Sequence, residues 1–412
     1  MIKRVSIQNY KALRDVTIEL TPIHVLIGPN DSGKTSILEA VAALCRSVDH
    51  ELNNAFTGSW DGRKLVWRET QGLSVSLTAT FEHQQQIFEY LLSTTFSPIG
   101  RSAAPKEEIV RVDSSQQDLA YPALFEGVRS AGDGPYGYAY STGVRNVLAD
   151  DLTPNRAGRA DKEKAAQLIR DSLSGVHYYR FVPRFLGLPA APDSKRRFRM
   201  EPSGFGLALC LDDILGYDRE RFTALESRFR EIFPHVKSIK LIPEPAFRSP
   251  TDDPEQIPML DRADGKGLYF EFVGASTLVS ASQVSDGMLL VLAYLTVLYL
   301  PQPPRVVLVD EPENGIHPKR LQDVIRILRE LVQAQTHSQV ILTTHSPYVV
   351  DLFSPEEVTL CRRLEDGSVI VRRLSESQSV RDQLDVFTLG EIWTAEGDEA
   401  LAKTASEAGA VP

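Results

Sequence analysis

The run Gly28-Pro29-Asn30-Asp31-Ser32-Gly33-Lys34-Thr35 fits the spacing G-x-x-x-x-G-K-[ST]. Its glycines allow a loop whose backbone N–H groups converge on one point, and a helix opening at Lys34 would aim the positive end of its dipole there. Such a cradle suits phosphate oxygens. Lys34 would reach the β- and γ-phosphates and the Thr35 hydroxyl would bind Mg2+, with Ser36 closing the stretch. Gly28 through Ser36 are therefore candidate contacts to ATP.

Three further groups could complete that chemistry. In Val306-Val307-Leu308-Val309-Asp310-Glu311-Pro312-Glu313 an apolar run delivers carboxylates at its end. Alone, an acidic pair after a strand is an ordinary solvated turn. In a chain that also carries a phosphate loop, Asp310 would hold Mg2+ through a water and Glu311 would polarise the attacking water as general base. His345, in Thr343-Thr344-His345-Ser346-Pro347, is placed where a hydrogen bond to the γ-phosphate or the attacking water is natural, and is assigned as the γ-phosphate sensor. Gln283-Val284-Ser285-Asp286-Gly287-Met288 opens an apolar helix, and Ser285 or Asp286 suits its N-cap. The same N-terminus could hold an anion through the Ser285 hydroxyl and the N–H groups near Asp286 and Gly287.

These motifs need strands and helices to present them. Arg4–Gln8 and Val16–Leu20 alternate, and His24–Gly28 is nearly continuous apolar, as in a strand covered on both faces. A helix follows from Lys34 to Arg46, then strands near Leu65–Trp67 and Leu73–Phe81. Between Ser97 and Gly265, scattered Pro, Gly and charge predict a helical and irregular insertion, with helices at Asp161–Leu173 and Arg219–Ile232. Regular alternation resumes with a strand at Leu268–Val273, a helix at Ser285–Leu300, a strand at Val306–Val309, a helix at Arg320–Gln335 and a strand at Gln339–Thr344. A hairpin is expected around Glu365-Asp366-Gly367, between Val358–Arg362 and Val369–Arg373. The fold class is thus α/β, with a mixed, mostly parallel sheet and helices on both faces. The expected parts are 1–96 and 266–350 as the two halves of one phosphate-binding head, 97–265 as the insertion, and 351–412 as a polar extension with a hairpin.

Composition excludes several classes. The chain has 412 residues, 42% hydrophobic and 24% charged, an ordinary globular balance with room for more than one core. A net charge of −10 argues against a nucleic-acid coat protein, while leaving local basic patches free to bind phosphate backbone. Cys45, Cys210 and Cys361 are too few and too scattered for a disulfide framework and suit a reducing, cytoplasmic setting. The longest apolar run, Met288–Leu300, falls short of the roughly 20 residues that cross a bilayer, so it reads as a core helix and no membrane is expected.

The order of the four motifs resembles the ABC-type ATPase heads of the SMC, RecF and OLD proteins, and is most similar to their compact members without coiled-coil arms. Ile7-Gln8-Asn9-Tyr10-Lys11-Ala12-Leu13 is similar to that group's first strand and basic turn. Asn314-Gly315-Ile316-His317-Pro318 also matches, with His317 where transporter ATPases carry an aspartate, and so do Arg199–Ala208 and Leu389-Gly390-Glu391-Ile392-Trp393 more loosely. The resemblance implies a P-loop fold and ATP hydrolysis with Mg2+. It also implies a homodimer, or a higher assembly of dimers, sandwiching two ATP molecules between the phosphate loop of one copy and Ser285 and Gly287 of the other. The signature Ser285-Asp286-Gly287-Met288 departs from the Ser-Gly-Gly-Gln of transporters. The glutamine that helps hold Mg2+ in the family falls on Gln84, Gln85 or Gln86, which equally suit a polar helix start. Ala395-Glu396-Gly397-Asp398-Glu399 superficially resembles the entry to a Toprim nuclease domain, but 13 residues follow Glu399, so no intrinsic nuclease is expected.

Two functions compete. One is a DNA-associated switch in repair or in defence against foreign DNA, with duplex DNA tracked by Lys195-Arg196-Arg197-Phe198-Arg199, Arg362-Arg363 and Arg372-Arg373. The other is an ATPase scaffold that holds and regulates a separately encoded effector protein such as a nuclease.

Overall fold

A computed structural model of the chain describes residues 1–50, 52–56, 62–70, 72–83, 86–97, 103–113, 123–128, 167–193, 197–248, 258–334 and 338–402. Its strands are β1 (Ile2–Tyr10), β2 (Leu13–Glu19), β3 (Ile23–Ile27), β4 (Ser74–His83), β5 (Gln86–Phe96), β6 (Ala103–Asp113), β7 (Ala123–Val128) and β8 (Val176–Tyr179). They continue with β9 (Val236–Arg248), β10 (Met259–Phe272), β11 (Val279–Ser280), β12 (Val306–Asp310), β13 (Gln339–Thr344), β14 (Val358–Arg363) and β15 (Val369–Arg373). The longer helices are α1 (Lys34–Arg46), α2 (Leu207–Tyr217), α3 (Arg219–Ile232), α4 (Asp286–Leu298), α5 (Pro318–Ala334) and α6 (Leu389–Ala402). The chain divides into two compact units, Met1–Val176 with Phe353–Pro412, and His177–Leu352.

In the first unit, β2-β1-β4-β5-β6-β7 form a wholly antiparallel sheet. Alternation explains it: Val5, Ile7, Val75, Leu77 and Ala79 are buried, while their neighbours Arg4 and Gln8 face solvent. β3 pairs in parallel with β14, and β14 turns back antiparallel on β15. All five residues of β3 are buried, as its continuous apolar run requires. α1 buries Ile37, Leu38, Val41 and Leu44. α6 brings Leu389, Ile392 and Trp393 inside, and its helical path is interrupted at Gly397.

In the second unit, β12 and β13 run parallel with Asp310 opposite Thr343, and both strands are buried along their length. β8 lies beside β12. α4 is buried from Met288 to Val297 on every side, so the apolar stretch is a core helix, with the Thr296 hydroxyl returned to the Leu292 carbonyl at 2.8 Å. No described helix is long and apolar enough to cross a membrane. α5 buries Leu321, Val324, Ile325, Leu328 and Leu331, the three- and four-residue spacing of one apolar face. Truncating any of these core leucines to alanine should cost about 2–5 kcal/mol. Asp218 caps α3 by accepting from the Arg221 N–H at 3.0 Å.

Most expected elements form within a residue or two of the sequence boundaries, α3 and the hairpin strand β15 among them. Two differ. The segment Leu65–Trp67 is not a strand: Gly62–Leu65 is a helical turn, and only an isolated bridge between Val66 and Tyr10 is extended. The stretch 97–265 is not a helical and irregular insertion throughout. It holds the sheet strands β6 and β7 and the long antiparallel pair β9–β10, and it is shared between the two units. The expected strand Leu268–Val273 forms as the end of β10, which starts at Met259; the register shift between Asp261 and Asp264 breaks the alternation that would have announced its first part, and Pro243 and Pro245 mask β9. Of the helix expected at Asp161–Leu173, residues 161–166 lie outside the described residues and 167–173 are helical.

Candidate active site

The phosphate loop leaves the end of β3, and its shape is set by backbone. Gly28 has φ 139°, and a Cβ there would lie 2.2 Å from the Cys361 carbonyl oxygen of β14, so only glycine fits. Asp31 takes φ 67° and its carboxylate pairs with the Arg363 guanidinium. Gly33, at φ 89°, is the N-cap of α1, and no side chain caps that end. The buried Lys34 ammonium donates to the carbonyls of Gly28 and Pro29 at 2.8 Å each and reaches the Ser32 hydroxyl at 3.5 Å. The loop is thus wrapped around a cation on its own oxygens. Pro29, Asn30 and Asp31 are exposed, and Thr35 and Ser36 are half-buried in the first turn of α1. The β14–β15 hairpin braces this loop: Val369 donates its N–H to the Ala12 carbonyl, and its methyls underlie Gly33. Burial pushes the Cys361 thiol up to about 12, which leaves it chemically inert.

The acidic turn at the end of β12 is set by side chains. Asp310 is 2% exposed. Its Oδ1 accepts from the Thr343 hydroxyl at 2.6 Å and its Oδ2 from the Tyr178 hydroxyl at 3.2 Å, with Arg180 Nε 3.9 Å away. Glu311 has φ 51°, a left-handed conformation that costs a non-glycine residue on the order of 1–3 kcal/mol. The Thr343 hydroxyl also accepts the Glu311 N–H at 3.1 Å, and Asn314 Nδ2 donates to Glu311 Oε2 at 2.8 Å. One hydroxyl therefore orients both members of the acid pair. His345 follows β13, and its Nδ1 lies 3.5 Å from Glu311 Oε1 and 3.4 Å from Glu313 Oε1.

Ser285 occupies the N-cap position of α4, but its exposed hydroxyl makes no capping bond. A Cβ on Gly287 would be 3.7 Å from Ile316, and one on Gly315, which has φ 82°, would be 3.8 Å from Asp286. The signature Ser285-Asp286-Gly287 is thus packed on the turn that follows the acid strand. His317 uses Nδ1 to accept the Lys319 N–H at 3.2 Å, in the first turn of α5.

Two families match the chain: one described as "AAA ATPase domain" over residues 1–121, and one described as "AAA domain, putative AbiEii toxin, Type IV TA system" over residues 212–351. An OLD nuclease from Thermus scotoductus (strain ATCC 700910 / SA-01) is 21% identical over 98% of this chain and 71% of its own length. Both families are described as AAA domains, and the matched segments carry the phosphate loop of β3–α1 and the acidic turn after β12. Among solved structures, an SMC head bound to the C-winged helix domain of ScpA is similar over 90% of this chain and 96% of that one, at 16% identity and TM-score 0.49. The SMC head domain from Thermotoga maritima is similar over 90% and 98%, at 15% identity and TM-score 0.42.

The loop offers what a nucleotide requires. It would be filled by any Cβ at Gly28, and its lysine already sits among oxygens that phosphate oxygens could replace. Magnesium in such sites takes one or two protein oxygens and completes its shell from phosphate and water; the Thr35 hydroxyl in the first unit is an oxygen of that kind, and the Asp310 carboxylate in the second unit is another. Of the glutamines considered for magnesium, Gln84 and Gln85 lie outside the described residues, and Gln86 opens β5 rather than a helix. Sequence reasoning missed Thr343, Tyr178 and Glu313. Thr343 carried a signal, because a hydroxyl one residue before the end of a strand parallel to the acid strand falls opposite Asp310.

Proposed function

We propose that the chain is an ATP-binding and ATP-hydrolysing switch that works as a homodimer, associated with duplex DNA in repair or in defence against foreign DNA. The observation that carries the hydrolytic reading is the convergence of Asp310, Glu311 and His345 at the ends of two parallel strands, with Glu311 held left-handed 3.5 Å from His345. Lys34 exchanges the Gly28 and Pro29 carbonyls for phosphate oxygens, and the N–H groups from Gly28 to Ser36 bind the rest. Thr35 and Asp310 are the residues that would hold Mg2+, which when bound would neutralise charge on the β- and γ-phosphates. Glu311 accepts a proton from the attacking water as its oxygen bonds to the γ-phosphorus and the bond to ADP breaks, while His345 hydrogen-bonds the oxygens where charge gathers.

In the dimer, Ser285 and Gly287 of a second copy contact the ATP held by the first. ATP then stabilises the dimer by mass action and hydrolysis releases it. With ATP and Mg2+, Glu311→Gln should accumulate dimer, or dimers of dimers, by light scattering. An unchanged monomer mass would contradict the sandwich.

The second reading, an ATPase scaffold for a separately encoded effector such as a nuclease, is favoured by one observation. Arginines from each expected DNA-binding cluster have intramolecular partners. Arg197 pairs with Asp213, Arg362 with Glu399, Arg363 with Asp31 and Arg372 with Glu376, and Arg373 donates to the Glu19 carbonyl. Lys195 and Arg196 lie outside the described residues. Duplex DNA that raises ATP turnover several-fold, with an effect that falls steeply with salt, supports the first reading; a flat response transfers the weight to the second.

A further inference from the structure

The turn after β12 contains a carboxylate that the proposed chemistry leaves unused. Glu313 lies two residues past Glu311, and its side chain is 9% exposed. Its Oε1 accepts the Thr344 hydroxyl at 2.6 Å and the His345 main-chain N–H at 2.9 Å, and stands 3.4 Å from His345 Nδ1. Its Oε2 is buried without a hydrogen-bond partner among the described residues. Burying a carboxylate with one oxygen unmatched is unfavourable, and folds carry such groups where a site uses them. A turn that only linked β12 to α5 would gain nothing from it.

We propose that Glu313 is a positioning residue for hydrolysis, fixing the main chain and ring of His345 beside Glu311. One oxygen holds two consecutive residues at the point where the chain leaves β13, which defines the direction in which His345 departs. The turn itself is closed by the Asn314 N–H donating to the Glu311 carbonyl at 3.1 Å, and this brings Glu313 back towards β13. His345 Nδ1 stands 3.5 Å from Glu311 Oε1 and 3.4 Å from Glu313 Oε1, and two carboxylate oxygens on that side favour a hydrogen on Nδ1. Nε2 is left as the nitrogen that meets the nucleotide. The arrangement follows the rule by which a carboxylate behind a working imidazole sets its tautomer and orientation. Glu313 thus acts through His345, and the inference rests on the reading of His345 as a contact to the γ-phosphate.

The test is steady-state ATP hydrolysis and fluorescent-ATP binding by full-length Glu313→Ala, Glu313→Gln, His345→Ala and the double variant Glu313→Ala/His345→Ala. Glu313→Ala should lower kcat about 10²-fold with nucleotide affinity within about threefold of wild type. Glu313→Gln keeps an oxygen for the Thr344 hydroxyl and the His345 N–H, and should recover at least about fivefold of that loss. If Glu313→Ala does not fold, the same cycle is read with Glu313→Gln in both backgrounds. Adding the Glu313 change to His345→Ala should alter kcat less than about twofold, because the two act as a unit. A His345→Ala variant with wild-type kcat would overturn the sensor reading beneath the inference. An impaired His345→Ala whose defect multiplies in full with that of Glu313 would overturn the inference alone, as would equal losses of affinity and kcat in Glu313→Ala.

Discussion

The phosphate loop and the acidic turn solve the placing of charged groups in opposite ways. At the loop, backbone does the work: positive φ at Gly28, Asp31 and Gly33, carbonyls around Lys34, and a hairpin behind that leaves no space for a Cβ at Gly28. At the turn, side chains do it: the Thr343 hydroxyl orients Asp310 and Glu311, and Glu313 holds Thr344 and His345. A backbone cradle can receive any suitable phosphate and needs few specific residues beyond glycines and lysine. A side-chain network fixes groups in the defined geometry that proton transfer from an attacking water demands. The difference suggests a division of labour, with binding strength set by the loop and turnover by the turn.

Changes at the two regions should therefore fail differently. The largest effect is expected from Gly28→Ala. Its Cβ would collide with a main-chain oxygen at 2.2 Å, and φ 139° is closed to alanine. Nucleotide affinity should fall at least about 10²-fold, with roughly 1–3 kcal/mol of stability lost, by calorimetric titration and thermal melting. Near-normal affinity would mean that the loop is not held by backbone shape.

Thr343→Val comes next. It keeps the volume but removes the hydroxyl that donates to Asp310 and accepts from the Glu311 N–H. We expect kcat to drop roughly 10- to 100-fold with affinity within about threefold, and about 1–3 kcal/mol of stability to go with the stranded polar groups. An affinity loss as large as that of Gly28→Ala would break the division.

The smallest effect concerns acid stability, where the two regions should behave alike. His24 in β3 is bonded at both ring nitrogens, to Thr21 at 3.1 Å and Thr359 at 2.9 Å, and burial pushes it down to about 3. Burial does the same to His177 in β8, again to about 3. In the unfolded chain each takes up a proton near 6.5, so the unfolded state binds more protons below that pH. The contribution is whole above pH 6.5 and is lost as pH falls towards 3, by about 1.4 kcal/mol per pH unit for each histidine. In urea titrations, His24→Gln should lose about 2 kcal/mol less than wild type between pH 7 and 5. Equal losses would show that His24 does not report the acid limb.

The same contrast governs what the sequence could announce. The loop was legible because its requirements are local: glycines at fixed spacing, an apolar strand before, a helix of Lys34–Arg46 after. Asp310 and His345 were legible as strand-end residues, and β12 and β13 as buried apolar runs. Glu313 was not, because its role depends on which oxygen meets a residue 31 positions away, as with the Thr344 hydroxyl. β9 and the part of β10 before Leu268 escaped for a different reason. Neither has the clean alternation of β1, and they are strands because each pairs with the other across two register shifts, a tertiary preference that outweighs local composition. Ser285 was expected to cap α4 or hold an anion; its hydroxyl makes no cap bond here.

The most direct test of the division of labour is to measure ATP affinity and ATP turnover on one preparation of Glu311→Gln beside wild type. The account predicts affinity within about threefold and turnover reduced at least about 10²-fold, since the glutamine keeps the shape of the turn but cannot accept the proton of the attacking water. Turnover within a few-fold of wild type would contradict it, and would show that the strained carboxylate at the end of β12 is not the base.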